Sequence, residues 1–246
     1  VACVSGHLHL MQDFSLPSYD GGIPHIMHPE IDWGSNMSIG STTQHAIDVN
    51  FHSNYYLVGF VINEICNMPT YSARGGYCKK CAITGRMHER LQRRELGVAD
   101  FIRAIDELAP RTHGFTLCGN EPLYLGIGRN DFHQITLPLL RHLESINKPR
   151  AIITTAFELA RCRGPLRETK TDVTISLDGP KDVNDRADVR GGFDQVMFNL
   201  DQSWRDLRGQ ITIASVVRKD TIDRLVELLP ILETYQITEW SLSSFI

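Results

Sequence analysis

The chain has 246 residues, a formal net charge of −4 and six cysteines. The mild acidity excludes the basic footprint of a nucleic-acid binder, and the longest apolar run, Tyr55 to Ile62, is far short of the ~20 residues that span a bilayer. Six cysteines over this length are too sparse for a disulfide scaffold, so the composition describes a cytoplasmic protein of a reducing compartment, with one sizeable α/β core and no membrane or nucleic-acid partner.

Residues 1–53 read as an irregular N-terminal extension: "LPSYDGGIPHIMHPEIDWGSN" is dense in Pro, Gly, Ser and Asn and shows no helical period. From residue 54 the texture changes. "YYLVGFVI" is a short run of aromatic and β-branched residues, the pattern of a buried strand. In "GVADFIRAIDELAP", Val98, Phe101, Ile102, Ile105 and Leu108 share one helix face, and Pro110 stops the helix. "HGFTLC" is a strand. "DFHQITLPLLRHLESI" is a helix that Pro138 either kinks or opens. "RAIITT" is a strand followed by a short helical turn through "FELARC", and "DVTISLD" is the next strand. "FDQVMFNLDQSWRDL" places Phe193, Val196, Met197, Leu200 and Trp204 on one helix face. "QITIASVV" is a strand, "TIDRLVELLPIL" a helix and "ITEWSLSSF" a last strand. Strand and helix alternate without hairpin signals, which calls for a parallel sheet with helical crossovers: an open doubly wound sheet or most of a (β/α) barrel. In both, chemistry belongs at the carboxyl ends of the strands. The unusual residues do fall there: Cys66, then "CGNEP" (Cys118 to Pro122), then Thr154 and Thr155, then "SLDGP" (Ser176 to Pro180).

Cys66, Cys78 and Cys81 occupy one stretch after the first strand, the last two as a C-x-x-C pair. Three thiolates fit three corners of a soft-metal site. An iron–sulfur cluster with one open iron and a zinc ion completed by His88 both fit that spacing. The same loop carries Arg74, Gly75 and Gly76, which read as a turn, and Lys79 and Lys80, which read as a solvated face.

Taken with the later strand-end motifs, the chain resembles the radical S-adenosylmethionine superfamily over about Tyr55 to Ile246. The cysteine triad follows the first strand, and Gly119-Asn120-Glu121-Pro122 stands where the family has a Gly-Gly-Glu-Pro motif. "VTISLDGPKDVNDR…GGFDQV" and "ITIASVVRKDTIDRLVELLPIL" resemble the branch that modifies peptides and proteins, which includes sulfatase maturases. The resemblance implies an α/β fold, a partial (β/α)6 TIM-like barrel over 54–246. It also implies a [4Fe-4S] cluster held by Cys66, Cys78 and Cys81, S-adenosyl-L-methionine bound at its open iron, and reductive cleavage of that cofactor to a 5′-deoxyadenosyl radical. A peptide or protein substrate and an electron donor of flavodoxin or ferredoxin type follow from the same resemblance. Cofactor binding is then expected from Gly119, Asn120, Glu121, Pro122, Thr154, Ser176 and Arg190, with Glu121 accepting from the cofactor's ammonium and Ser176 bonding its ribose or carboxylate. No residue is singled out for the hydrogen-abstraction step itself.

The chain departs from the family pattern in three places. The first gap of the triad is eleven residues instead of three, Lys80 replaces an aromatic residue before the last cysteine, and Asp188 stands where an arginine is usual. Arg186 and Arg190 flank that position, and a shifted Arg190 takes the role. Six of the ten histidines lie before residue 53 without a shared motif, the distribution of loop and surface residues. Cys118 fits a packed small residue beside the motif, and Cys3 and Cys162 are incidental. The ends, Val1 and "WSLSSFI", read as those of a piece cut from a longer protein, truncated at its C-terminal side. The rival readings are a radical S-adenosylmethionine enzyme on a small molecule and, in a different class, a zinc-binding structural or interaction domain. A zinc module has no need of Glu121 and Ser176 at successive strand ends.

Overall fold

The computed structural model of the chain describes residues 9–11, 57–62, 96–119, 121–126, 130–187 and 191–244, with side chains throughout except at 9–11, 186–187 and 244. Seven strands form one sheet among these residues, in the order of the sequence: β1 His9–Met11, β2 Leu57–Val61, β3 Gly114–Cys118, β4 Arg150–Thr154, β5 Asp172–Ser176, β6 Ile211–Val217 and β7 Glu239–Ser244. β2 to β7 are parallel. The strand order never reverses, whereas a doubly wound sheet needs a reversal at its switch point. A sheet wound in one sense is the geometry of a (β/α) barrel. The α/β partial-barrel expectation is therefore met.

The extension to residue 53 is not irregular throughout, because β1 pairs antiparallel with β2, His9 opposite Gly59 and Met11 opposite Leu57. Three residues are too few for periodicity to reveal a strand; the exposed edge of β2 selects it.

The crossovers carry helices α1 Val98–Leu108, α2 Leu137–Ser145, α3 Leu159–Glu168, α4 Lys181–Ala187, α5 Gly192–Ser203 and α6 Leu229–Thr234. Their apolar faces cover the sheet. Phe60 of β2 stacks on Phe115 of β3 with centroids 5.9 Å apart and meets Phe101 of α1 edge-on at 5.8 Å. On α5, Val196 and Leu200 are buried, with Phe193, Met197 and Trp204 packed partly buried around them, as the periodicity predicts.

Two helices differ from the sequence reading, a third follows one of its two alternatives, and a fourth is additional. The turn through "FELARC" is the start of a ten-residue helix, α3, which runs through Pro165. A proline inside a helix costs about 3 kcal/mol, but Leu159, Cys162 and Leu166 are wholly buried on one face and offset it. Pro138 opens α2 after a π-helical turn at Phe132–Thr136. "TIDRLVELLPIL" is split, 3₁₀ over Ile222–Leu228 and α from Leu229, because Pro230 fits only a helix's first turn. α4 was not foreseen: Val183 is its one large apolar side chain, so it shows no period.

Candidate functional site

The strand-end motifs share one edge of the sheet. Val61 at the end of β2 pairs with Cys118 at the end of β3, Thr154 ending β4 pairs with Ile175, and Ser176 ending β5 pairs with Ala214. Ile62 N–H donates to the Cys118 carbonyl at 2.9 Å, so the chain leaves β2 beside Gly119. Cys66, Cys78, Cys81, Asn120 and Arg190, like His88, lie outside the described residues. Among the described residues no three His, Cys, Asp or Glu side chains form a metal site.

After β3, Gly119 has φ +139°, a conformation that side chains rarely adopt. Glu121 follows and is wholly buried. Its Oε1 accepts from Leu123 N–H at 2.9 Å and from the Thr154 hydroxyl at 2.6 Å; its Oε2 accepts from Thr155 N–H at 2.9 Å and from the Thr155 hydroxyl. Burial pushes the Glu121 carboxyl above its ordinary range, and the hydrogen bonds from Thr154, Thr155 and Leu123 pull it part of the way back. Pro122 contributes its carbonyl, which accepts from the Thr136 hydroxyl at 2.7 Å and so ties the motif to the π-helical turn before α2.

After β4, the Thr154 hydroxyl also accepts from Ala156 N–H at 2.9 Å. Ala156 is buried with φ +64°. The next residue, Phe157, presents its carbonyl to Asn199 Nδ2 of α5 at 2.9 Å, while Asn199 Oδ1 accepts from Ala160 N–H at 3.1 Å. Asn199 escaped the sequence reading. Its signal was a polar residue one step from the Val196–Leu200 stripe of an otherwise amphipathic helix.

After β5, the Ser176 hydroxyl is half-buried and has no protein partner among the described residues. Asp178 is buried and orders the turn: its Oδ1 accepts from Val216 N–H of β6 at 3.0 Å, and its own N–H donates to Asn184 Oδ1 at 3.2 Å. A Cβ on Gly179 (φ +150°) would meet Val183 Cγ1 at 2.7 Å, so this turn requires glycine. The Ser215 hydroxyl of β6 donates to the Leu177 carbonyl just after β5 and accepts from Trp240 Nε1 of β7 at 2.9 Å, tying the three strands together. Asp185 accepts from Gly191 N–H and Phe193 N–H at 2.9 Å each, joining α4 to the start of α5.

Of the two cysteines described, Cys118 is buried at the end of β3. Cys162 lies inside α3, and burial together with the carboxylates of Glu121 and Glu158 pushes its thiol far up, so it offers no thiolate to a metal.

No protein-family profile matches the chain, and no curated protein is found to be similar to it. Solved structures do match. The structure of Streptococcus suis SuiB bound to S-adenosylmethionine superposes with a TM-score of 0.59 at 17% identity, over 84% of this chain and 45% of that one. SuiB bound to its precursor peptide SuiA gives 0.58 at 16% identity, over 90% and 48%. The protein anSMEcpe, with bound S-adenosylmethionine and the peptide Kp18Cys, gives 0.53 at 15% identity, over 78% and 51%. The chain thus spans about half the length of the structures it matches. At these identities the likeness is one of fold: the chain folds as a partial (β/α) barrel of the kind found in SuiB and anSMEcpe.

Proposed function

We propose that this chain is the core of a radical S-adenosylmethionine enzyme that modifies a peptide or protein. The observation that carries the reading is the co-location of the motifs: Gly119–Pro122, Thr154–Thr155 and Ser176 end adjacent parallel strands, at the edge where such barrels do their chemistry. Cys66 lies four residues beyond Ile62 in the sequence, and Ile62 is hydrogen-bonded to the strand that leads into Gly119. The donor set suits the group. Gly119 lets backbone approach a ligand closely, and the Ser176 hydroxyl has no partner among the described residues. Cys66, Cys78 and Cys81 are the ligands assigned to a [4Fe-4S] cluster. Gly119 to Pro122, Thr154, Ser176 and Arg190 are assigned to the S-adenosylmethionine site, whether by contact or by holding the residues that make it. When bound, cluster and cofactor supply a 5′-deoxyadenosyl radical that takes hydrogen from an unactivated carbon. The protein's residues orient the cofactor, exclude water and hold the substrate carbon in reach. SuiB and anSMEcpe, crystallised with peptides, support a peptide as the substrate class. The electron is assigned to a donor of flavodoxin or ferredoxin type.

The test is anaerobic reconstitution with iron and sulfide, addition of dithionite and S-adenosylmethionine, and detection of 5′-deoxyadenosine by mass spectrometry. The nucleoside is expected from the wild type and from Cys162→Ala. Neither nucleoside nor cluster is expected from Cys66→Ala, Cys78→Ala or Cys81→Ala. Equal cluster loading in all the variants overturns the ligand assignment. Loading of zinc in place of iron puts a structural zinc domain in its place.

A further inference from the structure

The Glu-Pro motif after β3 suggests that Glu121 accepts directly from the cofactor. Its surroundings argue otherwise. A carboxylate has about four lone-pair sites, and those of Glu121 meet four protein donors from Leu123, Thr154 and Thr155. The residue is 0% exposed. A ligand ammonium would have to displace one of these donors and leave it unpaired in a buried place, which costs about 1–3 kcal/mol.

The donors belong to one short turn. Thr154 passes the restraint on, since its hydroxyl donates to Glu121 and accepts from Ala156 N–H. Ala156 then holds φ +64°, a left-handed conformation that costs an alanine about 1–2 kcal/mol. Such a residue persists only where its surroundings over-determine it, and such places cluster at functional sites. A second restraint comes from the opposite side: Asn199 of α5 grips the Phe157 carbonyl and Ala160 N–H. The turn is thus clamped between the segment after β3 and the helix after β5. Within the clamp, Glu121 and Thr154 are buried and Thr155 is half-buried, so Thr155 is the member nearest solvent.

We propose that Glu121 is a positioning residue: with Asn199 it locks the Thr154–Phe157 turn, and it acts on S-adenosylmethionine through Thr155 without touching it. The cofactor half of this proposal rests on the functional reading above; the clamp does not.

Two measurements on the full chain separate these parts. In the first, calorimetric titration of the cluster-loaded protein with S-adenosylmethionine compares Thr155→Val, Thr155→Ser, Glu121→Ala and the double variant Glu121→Ala/Thr155→Val. Thr155→Val, nearly isosteric and half-buried, is expected to fold and to weaken binding roughly 10- to 100-fold. Thr155→Ser is expected to restore it, and the double variant to bind no more weakly than the worse single one. In the second, amide exchange at Thr155 and Ala156, followed by NMR without cofactor, is expected to accelerate roughly 10- to 100-fold in Glu121→Ala. Normal binding in Thr155→Val with loss in Glu121→Ala, or additive losses in the double variant, overturns the indirect role. Unchanged exchange in Glu121→Ala overturns the clamp. A wild type whose cluster loads but which binds no S-adenosylmethionine overturns the functional reading and the cofactor half with it, and leaves the clamp to be decided by exchange.

Discussion

Glu121 is a carboxylate taken wholly out of water, and two forces oppose each other there. Desolvation favours the neutral form, and the surrounding donors favour the charged one. Desolvation is the larger, so the folded-state value stands above the unfolded one. A raised acid is better tolerated protonated, so its contribution to stability is fully present below the ordinary value of 4.5 and is lost as pH rises through the folded value. Urea denaturation at pH 5 and pH 7 is therefore expected to show a larger stability advantage of the wild type over Glu121→Ala at the lower pH. An advantage that grows with pH means that the donors outweigh desolvation. Glu121 and Ser176 were legible as candidates because polar residues at strand ends stand out between apolar runs. That all four acceptor sites of Glu121 are filled was not legible, because Thr154 and Thr155 lie more than thirty residues away and only the β3–β4 pairing brings them together.

Three helices end in the same way. After α2, α3 and α6 the chain turns left-handed at Asn147 (φ +54°), Lys170 (φ +48°) and Gln236 (φ +53°). The next residue's N–H then reaches back five positions, from Lys148 to Leu143, Thr171 to Leu166 and Ile237 to Leu232. Glycine is the usual residue at this position, and asparagine its common substitute. Lys170 is exposed and has a side chain that the left-handed region disfavours. Lys170→Gly is accordingly expected to raise the stability by about 1 kcal/mol, and Asn147→Gly by less, read from denaturation midpoints at unchanged slope. These ends escape a search for glycine stop signals. α3 shows the converse: Gly164 and Pro165 have the look of a stop, yet the burial of Leu159, Cys162 and Leu166 in the core carries the helix past them.

Ligand binding to the folded state stabilises the whole molecule by mass action. On the proposed function, S-adenosylmethionine at a hundred times its dissociation constant is expected to add about 2.7 kcal/mol to the cluster-loaded chain, or roughly 5–10 °C in an anaerobic melt of a chain this size. A variant lacking all three of Cys66, Cys78 and Cys81 is expected to show no such shift, since the proposal makes the cluster they would hold the anchor of the cofactor. An equal shift in that variant would place binding on the strand ends alone. The pieces that meet at the sheet edge come from separate crossovers and are held by Asp178 to β6, by Ser215 between β5 and β7, and by Asn199 between α5 and the β4 turn.

By itself the sequence determined the alternation of strands and helices, the apolar faces that pack, and the order of the motifs at the strand ends. Each is a local pattern, written in periodicity and in the residue types that turns demand. The tertiary structure decided what depends on distant residues meeting. Strand order without reversal selects the barrel over the doubly wound sheet, and β1 is a strand only because β2 offers it an edge. Glu121 is bound by Thr154 and Thr155 because β3 and β4 are neighbours. Hydrogen-bond saturation and burial are properties of a filled space, and no stretch of chain carries them alone.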